Sequence, residues 1–140
     1  MSIEETEQEI IDEFSFFEDW SGKYAHIIDL GKSLNPMPDE EKKEQFLVKG
    51  CQAKVWLYPR FENGRIFFDA DSDAMITKGI VSLMVRALSG QSPRDILDCK
   101  LRFVDEIGLK EHLSPMRSNG LVSMIKQMKM YALALSARSA

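Results

Sequence analysis

Cysteine is scarce in this 140-residue chain: Cys51 and Cys99 are the only two, and they form no C-x-x-C pair. His26 and His112 lie far apart in the sequence, so the spacing of a zinc site is missing. A disulfide scaffold is equally unsupported, because a chain of this length buries roughly 70% of its unfolded surface and needs no staple. Both thiols are expected to be free. No Walker A loop, G-x-G-x-x-G or H-E-x-x-H occurs, so no cofactor of its own is expected. No apolar run approaches the ~18 residues of a membrane helix, and the acidic start Met1-Ser2-Ile3-Glu4-Glu5 lacks the order of a signal peptide. The expected location is therefore the cytosol. Basic residues form no block, and 18 Lys plus Arg against 22 Asp plus Glu give a net charge of −4. Nucleic acid is not an expected partner.

What the chain does hold is a core. Hydrophobic residues make up 44% of it, including two Trp, eight Phe and eight Met, which suits one globular domain over residues 1–140. Ser2 and Glu5 have the spacing of a capping box, and Ile3, Ile10, Phe14, Phe17 and Trp20 recur near the helical period, which predicts an opening helix. Tyr24, Ile27, Ile28 and Gly31 predict a second helix after Ser21-Gly22, ending near Lys32 before Asn35-Pro36-Met37-Pro38. Phe46-Leu47-Val48 and Ala53 to Tyr58 predict two strands flanking Lys49-Gly50-Cys51-Gln52. Asn63-Gly64 predicts a hairpin between the second of these and Ile66-Phe67-Phe68, so the sheet is expected to be antiparallel.

Asp71-Ser72-Asp73 is expected to cap a helix carrying Met75, Ile76, Gly79, Ile80, Leu83, Met84 and Ala87, with Gly90 as its stop. Ser92-Pro93 with Asp95 marks another helix start, and a short helical piece near Asp105 should close at Gly108. A last helix after Leu113-Ser114-Pro115 presents Leu121, Met124, Ile125, Met128, Tyr131, Ala132 and Leu135. Helices at both ends of a small antiparallel sheet define an α+β fold.

Cys51 follows a glycine in an inter-strand loop, a setting that suits a reactive thiol. Lys49, Lys54 or the positive end of the helix after Asp73 would lower its pKa if the fold brought them close, and Gly50 would admit a partner's backbone or thiol. The competing reading is a small buried hydrophobe beside solvated lysines. Cys99, between Ile96-Leu97-Asp98 and Leu101, reads as an inert packed thiol. The two histidines read as surface or satisfied side chains, and Asp71 and Asp73 as capping groups, not cation ligands. Arg117, beside Ser118-Asn119-Gly120, reads by default as an exposed guanidinium, with binding of a partner's carboxylate as the alternative.

Val48-Lys49-Gly50-Cys51-Gln52-Ala53-Lys54-Val55-Trp56-Leu57 resembles the V-x-G-C-Q-S-x-V-W signature of the SufE cysteine-desulfuration proteins. Further blocks are similar and in the same order: Trp20 to Tyr24, Ile28 to Lys32, Asp71 to Ala74 with Lys78-Gly79, and His112 to Pro115 through Arg117 to Leu121. The resemblance spans roughly residues 12 to 135. Ala53 stands where the family motif has serine, so a loop hydroxyl is missing.

What the resemblance implies is a sulfur relay for iron-sulfur cluster assembly. Cys51 would accept persulfide sulfur from a pyridoxal-phosphate cysteine desulfurase of the SufS type, stimulate it, and pass the sulfur to a SufBCD-type scaffold. Gly50, Gln52, Asp73 and Arg117 would contact the partner, and the cofactor would be the partner's. A cluster scaffold would need about three clustered ligands, and a cysteine hydrolase would need a Cys-His motif, neither of which is present. A protein that activates the desulfurase by docking alone is the remaining alternative.

Overall fold

The computed structural model describes residues 1–139. Helix α1 runs Ile3–Phe14, and the expected capping box is formed: the Ser2 hydroxyl accepts from Glu5 N–H, and Glu5 accepts from Ser2 N–H. Its buried face is Ile3, Ile10 and Phe14, joined by Glu7, which is only 3% exposed and accepts a 3.0 Å bond from Phe103 N–H. The expected extension of this stripe to Trp20 does not occur. Asp19 caps a new helix, α2 (Trp20–Lys32), by accepting from Gly22 N–H, so Trp20 opens the second helix and Ser21-Gly22 lies inside it.

The segment after α2 differs from expectation. Residues 44–46 form a single 3-10 turn, and of the expected Phe46–Val48 strand only Leu47 pairs, through one bridge to Trp56. This strap lies over the outer face of the sheet. Lys42 sits above the Trp56 ring and Phe46 meets Tyr58 edge-on. The sheet itself has two antiparallel strands, β1 (Val55–Glu62) and β2 (Arg65–Ser72), paired from Val55 with Ser72 to Glu62 with Arg65. Asn63 and Gly64 make the turn at φ 52° and 76°, the left-handed region that a two-residue hairpin requires. Val55, Leu57, Ile66, Phe68 and Ala70 are buried on the inner face.

Helix α3 (Met75–Leu88) crosses that inner face and buries Ile80, Val81, Leu83, Met84, Ala87 and Leu88. Its expected cap is absent: Ala74 holds the N-cap position and makes no side-chain cap bond. Helices α4 (Pro93–Asp98), α5 (Phe103–Ile107) and α6 (Leu109–His112) follow. Ser92 caps the first through Asp95 N–H and Gly108 closes the second, both as expected. Helix α7 (Pro115–Ser139) buries Leu121, Met124, Met128 and Ala132 along one side and packs on α4. The result is the expected α+β arrangement, in which the Cys51 loop emerges between the strap and β1 and lands on α7.

Candidate functional site

Two ties hold the ends of the loop. Val48 N–H bonds Val55 C=O at 2.8 Å, and Lys54 and Asp73 exchange two bonds, Lys54 N–H to Asp73 Oδ1 at 2.9 Å and Asp73 N–H to Lys54 C=O at 3.2 Å. Asp73 therefore fixes the loop instead of capping α3. Asp71 is also no cap. Burial pushes its carboxyl up, but bonds from Lys42, from Ser72 N–H and from Lys78 outweigh that and hold it below the usual carboxylate range.

Cys51 is half-buried between these ties, with its thiol 3.5 Å from Gly120 C=O on α7. It opens into a cavity of about 290 Å³ that also meets Gln52, Asp73, Thr77, Met116 and Arg117. Cys51, Gln52, Asp73 and Arg117 thus lie together although up to 66 residues separate them in sequence (117 − 51). Gly50 is not on the cavity wall. Its backbone takes φ +91°, and it lies against Ser123 of α7, so the glycine serves the loop's own seating. Thr77, Ile80, Met116, Gly120 and Met124 were not singled out as site residues by sequence reasoning. The one signal available was the missing side chain at 120 in a helix otherwise rich in large residues.

The electrostatic expectation for Cys51 is reversed. Burial pushes its thiol pKa up, and no charge offsets it, so neither Lys49 nor Lys54 activates the resting thiol. Cys99 is buried at 7% exposure, with its thiol 3.1 Å from Ile96 C=O, and its pKa is also raised, chiefly by burial. The histidines are both engaged away from Cys51. His26 meets Glu13 at 2.7 Å and stacks on Phe17, while His112 stacks on Trp20 and bonds Gly108 C=O through Nδ1. Among the described residues no cluster of three or more His, Cys, Asp or Glu side chains could hold a metal ion.

Fold and site together define an α+β protein that presents one sheltered thiol at the mouth of a cleft between a loop and its last helix. The chain belongs to the SufE family, the Fe-S metabolism associated domain, which it matches over residues 8–132. This membership assigns it to iron-sulfur metabolism. It is 38% identical over 127 residues to an uncharacterized SufE-like protein of Rhizobium meliloti, covering 86% of this chain and 90% of that one. It is 36% identical over 132 residues to the chloroplastic/mitochondrial SufE-like protein 1 of Arabidopsis thaliana, covering 94% of this chain and 36% of the plant protein. The solution structure of a hypothetical protein from Thermus thermophilus shares the fold, with a TM-score of 0.76 at 19% identity over 92% of this chain and 94% of that one. Among the described residues no helix is long and apolar enough to cross a membrane.

Proposed function

We propose that Cys51 is the sulfur acceptor for a pyridoxal-phosphate cysteine desulfurase of the SufS type, and that residues 1–140 act as one carrier domain in the cytosol. The observation that carries this reading is the thiol itself, half-buried at a cavity large enough for an added sulfur and flanked by Met116 and Met124. A carrier must both receive sulfur and protect it, and polarizable thioethers with restricted water access suit a bound persulfide.

In the transfer, the Cys51 thiolate attacks the outer sulfur of the donor cysteine persulfide. A new S–S bond forms at Cys51 as the donor's S–S bond breaks, and the donor cysteine leaves as a thiolate that takes up the proton Cys51 gave up. No net oxidation occurs, as in thiol-disulfide exchange. Because burial raises the pKa of the resting thiol, the reaction waits for a partner to draw the loop out. Arg117 and Gln52, exposed beside Cys51, contact that partner, the guanidinium through a carboxylate. The Cys51 persulfide then passes its sulfur to a SufBCD-type scaffold.

The test is incubation with a cysteine desulfurase and L-cysteine, followed by intact mass and localisation of the added sulfur. One sulfur is expected on Cys51 and none on Cys99. Cys51→Ser should melt like the wild type, still bind the desulfurase and fail to stimulate sulfide release, since a serine hydroxyl without an adjacent base is a poor nucleophile. Full stimulation by the serine variant would instead establish activation by docking alone.

A further inference from the structure

We propose that the outer face of α7, from Val122 to Leu133, is a docking surface for an acidic amphipathic helix of a partner protein. At the helical period Val122, Lys126, Lys129, Met130 and Leu133 fall within an arc of about 100°. Val122, Met130 and Leu133 are 38%, 63% and 62% exposed, while Leu121, Met124, Met128 and Ala132 on the opposite side are buried in the core. The helix is thus apolar on two sides, and the rest of the chain covers only one.

Beside this stripe lies a cavity of about 220 Å³, lined by Lys126 and Lys129 of α7, Lys110 of α6 and Lys100, with Asp105 as its one carboxylate. These groups sum to +3 in a chain whose net charge is −4. Asp105 reaches Lys110 only at 4.0 Å, and among the described residues Lys100, Lys126 and Lys129 have no carboxylate within that distance. Lys129 Nζ donates to Leu97 C=O at 3.2 Å and to Cys99 C=O at 2.6 Å, which ties the turn before α5 to α7. Both acceptors are neutral, so the ammonium keeps its whole charge and one further donor at the cavity. The turn it ties holds Leu101, on the cavity floor, at φ +50°, a conformation that a bulky side chain adopts only when its surroundings impose it.

Charge and shape together choose the occupant. From Val122 to Leu133 the stripe is about 16 Å long, about three turns of a partner helix, and the lysines along its border match Asp or Glu flanking that helix's apolar side. A nucleic acid or a free phosphate would engage the lysines and leave Val122, Met130 and Leu133 bare. An anionic membrane would use both, but three apolar side chains make a small anchor, and the chain's net negative charge opposes approach to an extended anionic surface. Gly120 and Met124, which line the Cys51 cavity, stand about half a turn of α7 away, so a docked helix leaves that cleft open. The surface does not depend on the reading of Cys51 as acceptor.

The experiment titrates the full chain into a labelled helical peptide with leucines along one side and glutamates on the others, followed by fluorescence anisotropy. Saturable binding is expected, weakening several-fold as salt is raised. Two double variants dissect it, Lys100→Glu with Lys126→Glu, and Met130→Ser with Leu133→Ser, all exposed positions. Lys129 is left in place because its bonds hold the turn. Each pair should weaken binding about tenfold or more without lowering the melting temperature, whereas Lys32→Glu, the same charge change on α2, should bind as the wild type does. Carbodiimide coupling of the bound peptide, mapped by peptide mass, should join its glutamates to the lysines of this face.

No saturable binding would overturn the proposal, as would wild-type affinity in either double variant. Equal binding of a scrambled peptide of the same composition, or coupling mainly to lysines elsewhere, would overturn it too. Binding to phosphatidylglycerol vesicles without binding to the peptide would assign the face to a membrane instead.

Discussion

Gly79→Ala should cost about 2 kcal/mol of folding stability, because α2 and α3 cross with almost no space between their backbones. A Cβ on Gly79 would fall 2.5 Å from Ile27 Cγ2 and nearer still to the Ile27 carbonyl, and one on Gly31 would fall 2.8 Å from Gly79 N. Carbon atoms settle at about 3.5–4.0 Å, so the two helices must part by about 1 Å. The Ile27 side chain has rotamers to use, but its carbonyl has none. Overpacking of this kind costs about 1–3 kcal/mol, and a backbone obstacle places Gly79 at the upper end. Alanine's helix propensity returns about 1 kcal/mol, which leaves the net figure. The measurement is urea denaturation, with the loss read from the midpoint at an unchanged slope. Since Thr77 and Ile80 on α3 also line the Cys51 cavity, Cys51 alkylation should change in the same variant. A loss below about 0.5 kcal/mol, the range of an ordinary surface change, would show that the helices separate freely and that their close approach is not what sets the position of α3.

Two further outcomes follow from charged groups. The Glu41 carboxyl is pushed up to about 7 by burial and by the neighbouring Asp69 carboxylate, against the attraction of Arg60, and its Oε1 is buried without a hydrogen-bond partner. The folded protein therefore holds this proton more tightly than the unfolded chain. Stability from this group is full below the ordinary value of 4.5 and is lost as pH rises to about 7. Glu41→Gln should flatten that slope and stabilise the protein at alkaline pH by about 1 kcal/mol, and an unchanged slope in thermal melts across this range would remove the carboxyl pair as its source. Arg117→Ala should weaken apparent affinity for the desulfurase about tenfold, as for loss of one partly solvated charged hydrogen bond, with no change in melting temperature. Stimulation that matched the wild type at every protein concentration would take Arg117 out of the contact.

Local rules determined much of the molecule. The Ser2–Glu5 box, the Asn63-Gly64 turn, the Ser92-Pro93 start and the Gly108 stop each depend on neighbours within a few residues, so their chemistry is complete in the sequence. The same holds for the apolar stripes of α3 and α7, whose period alone says which face is buried. Cys51 was marked by the motif around it. Where a local signal had a competitor, the sequence could not choose. The stripe of α1 continued in phase to Trp20, yet the Asp19 side chain bonded Gly22 N–H and started a new helix. Phe46-Leu47-Val48 had strand composition, but it found a pairing partner at only one residue, Trp56.

The Asp71–Asp73 segment shows the same limit at the site. Its carboxylates are good capping groups, and they were taken up instead by Lys42, Lys78 and the Lys54 backbone, partners fixed by how strap, loop and sheet meet. The state of the thiol was decided only there. Nearby lysines in the sequence suggested a lowered pKa, but a pKa answers to solvent and charge in space, and docking Cys51 against Gly120, 69 residues away, removed water without bringing a compensating charge. The sequence by itself supplied the thiol and the elements that carry it. Tertiary packing alone set its shelter, the direction of its pKa and its neighbours, because each depends on the contact of one loop with one turn of the last helix.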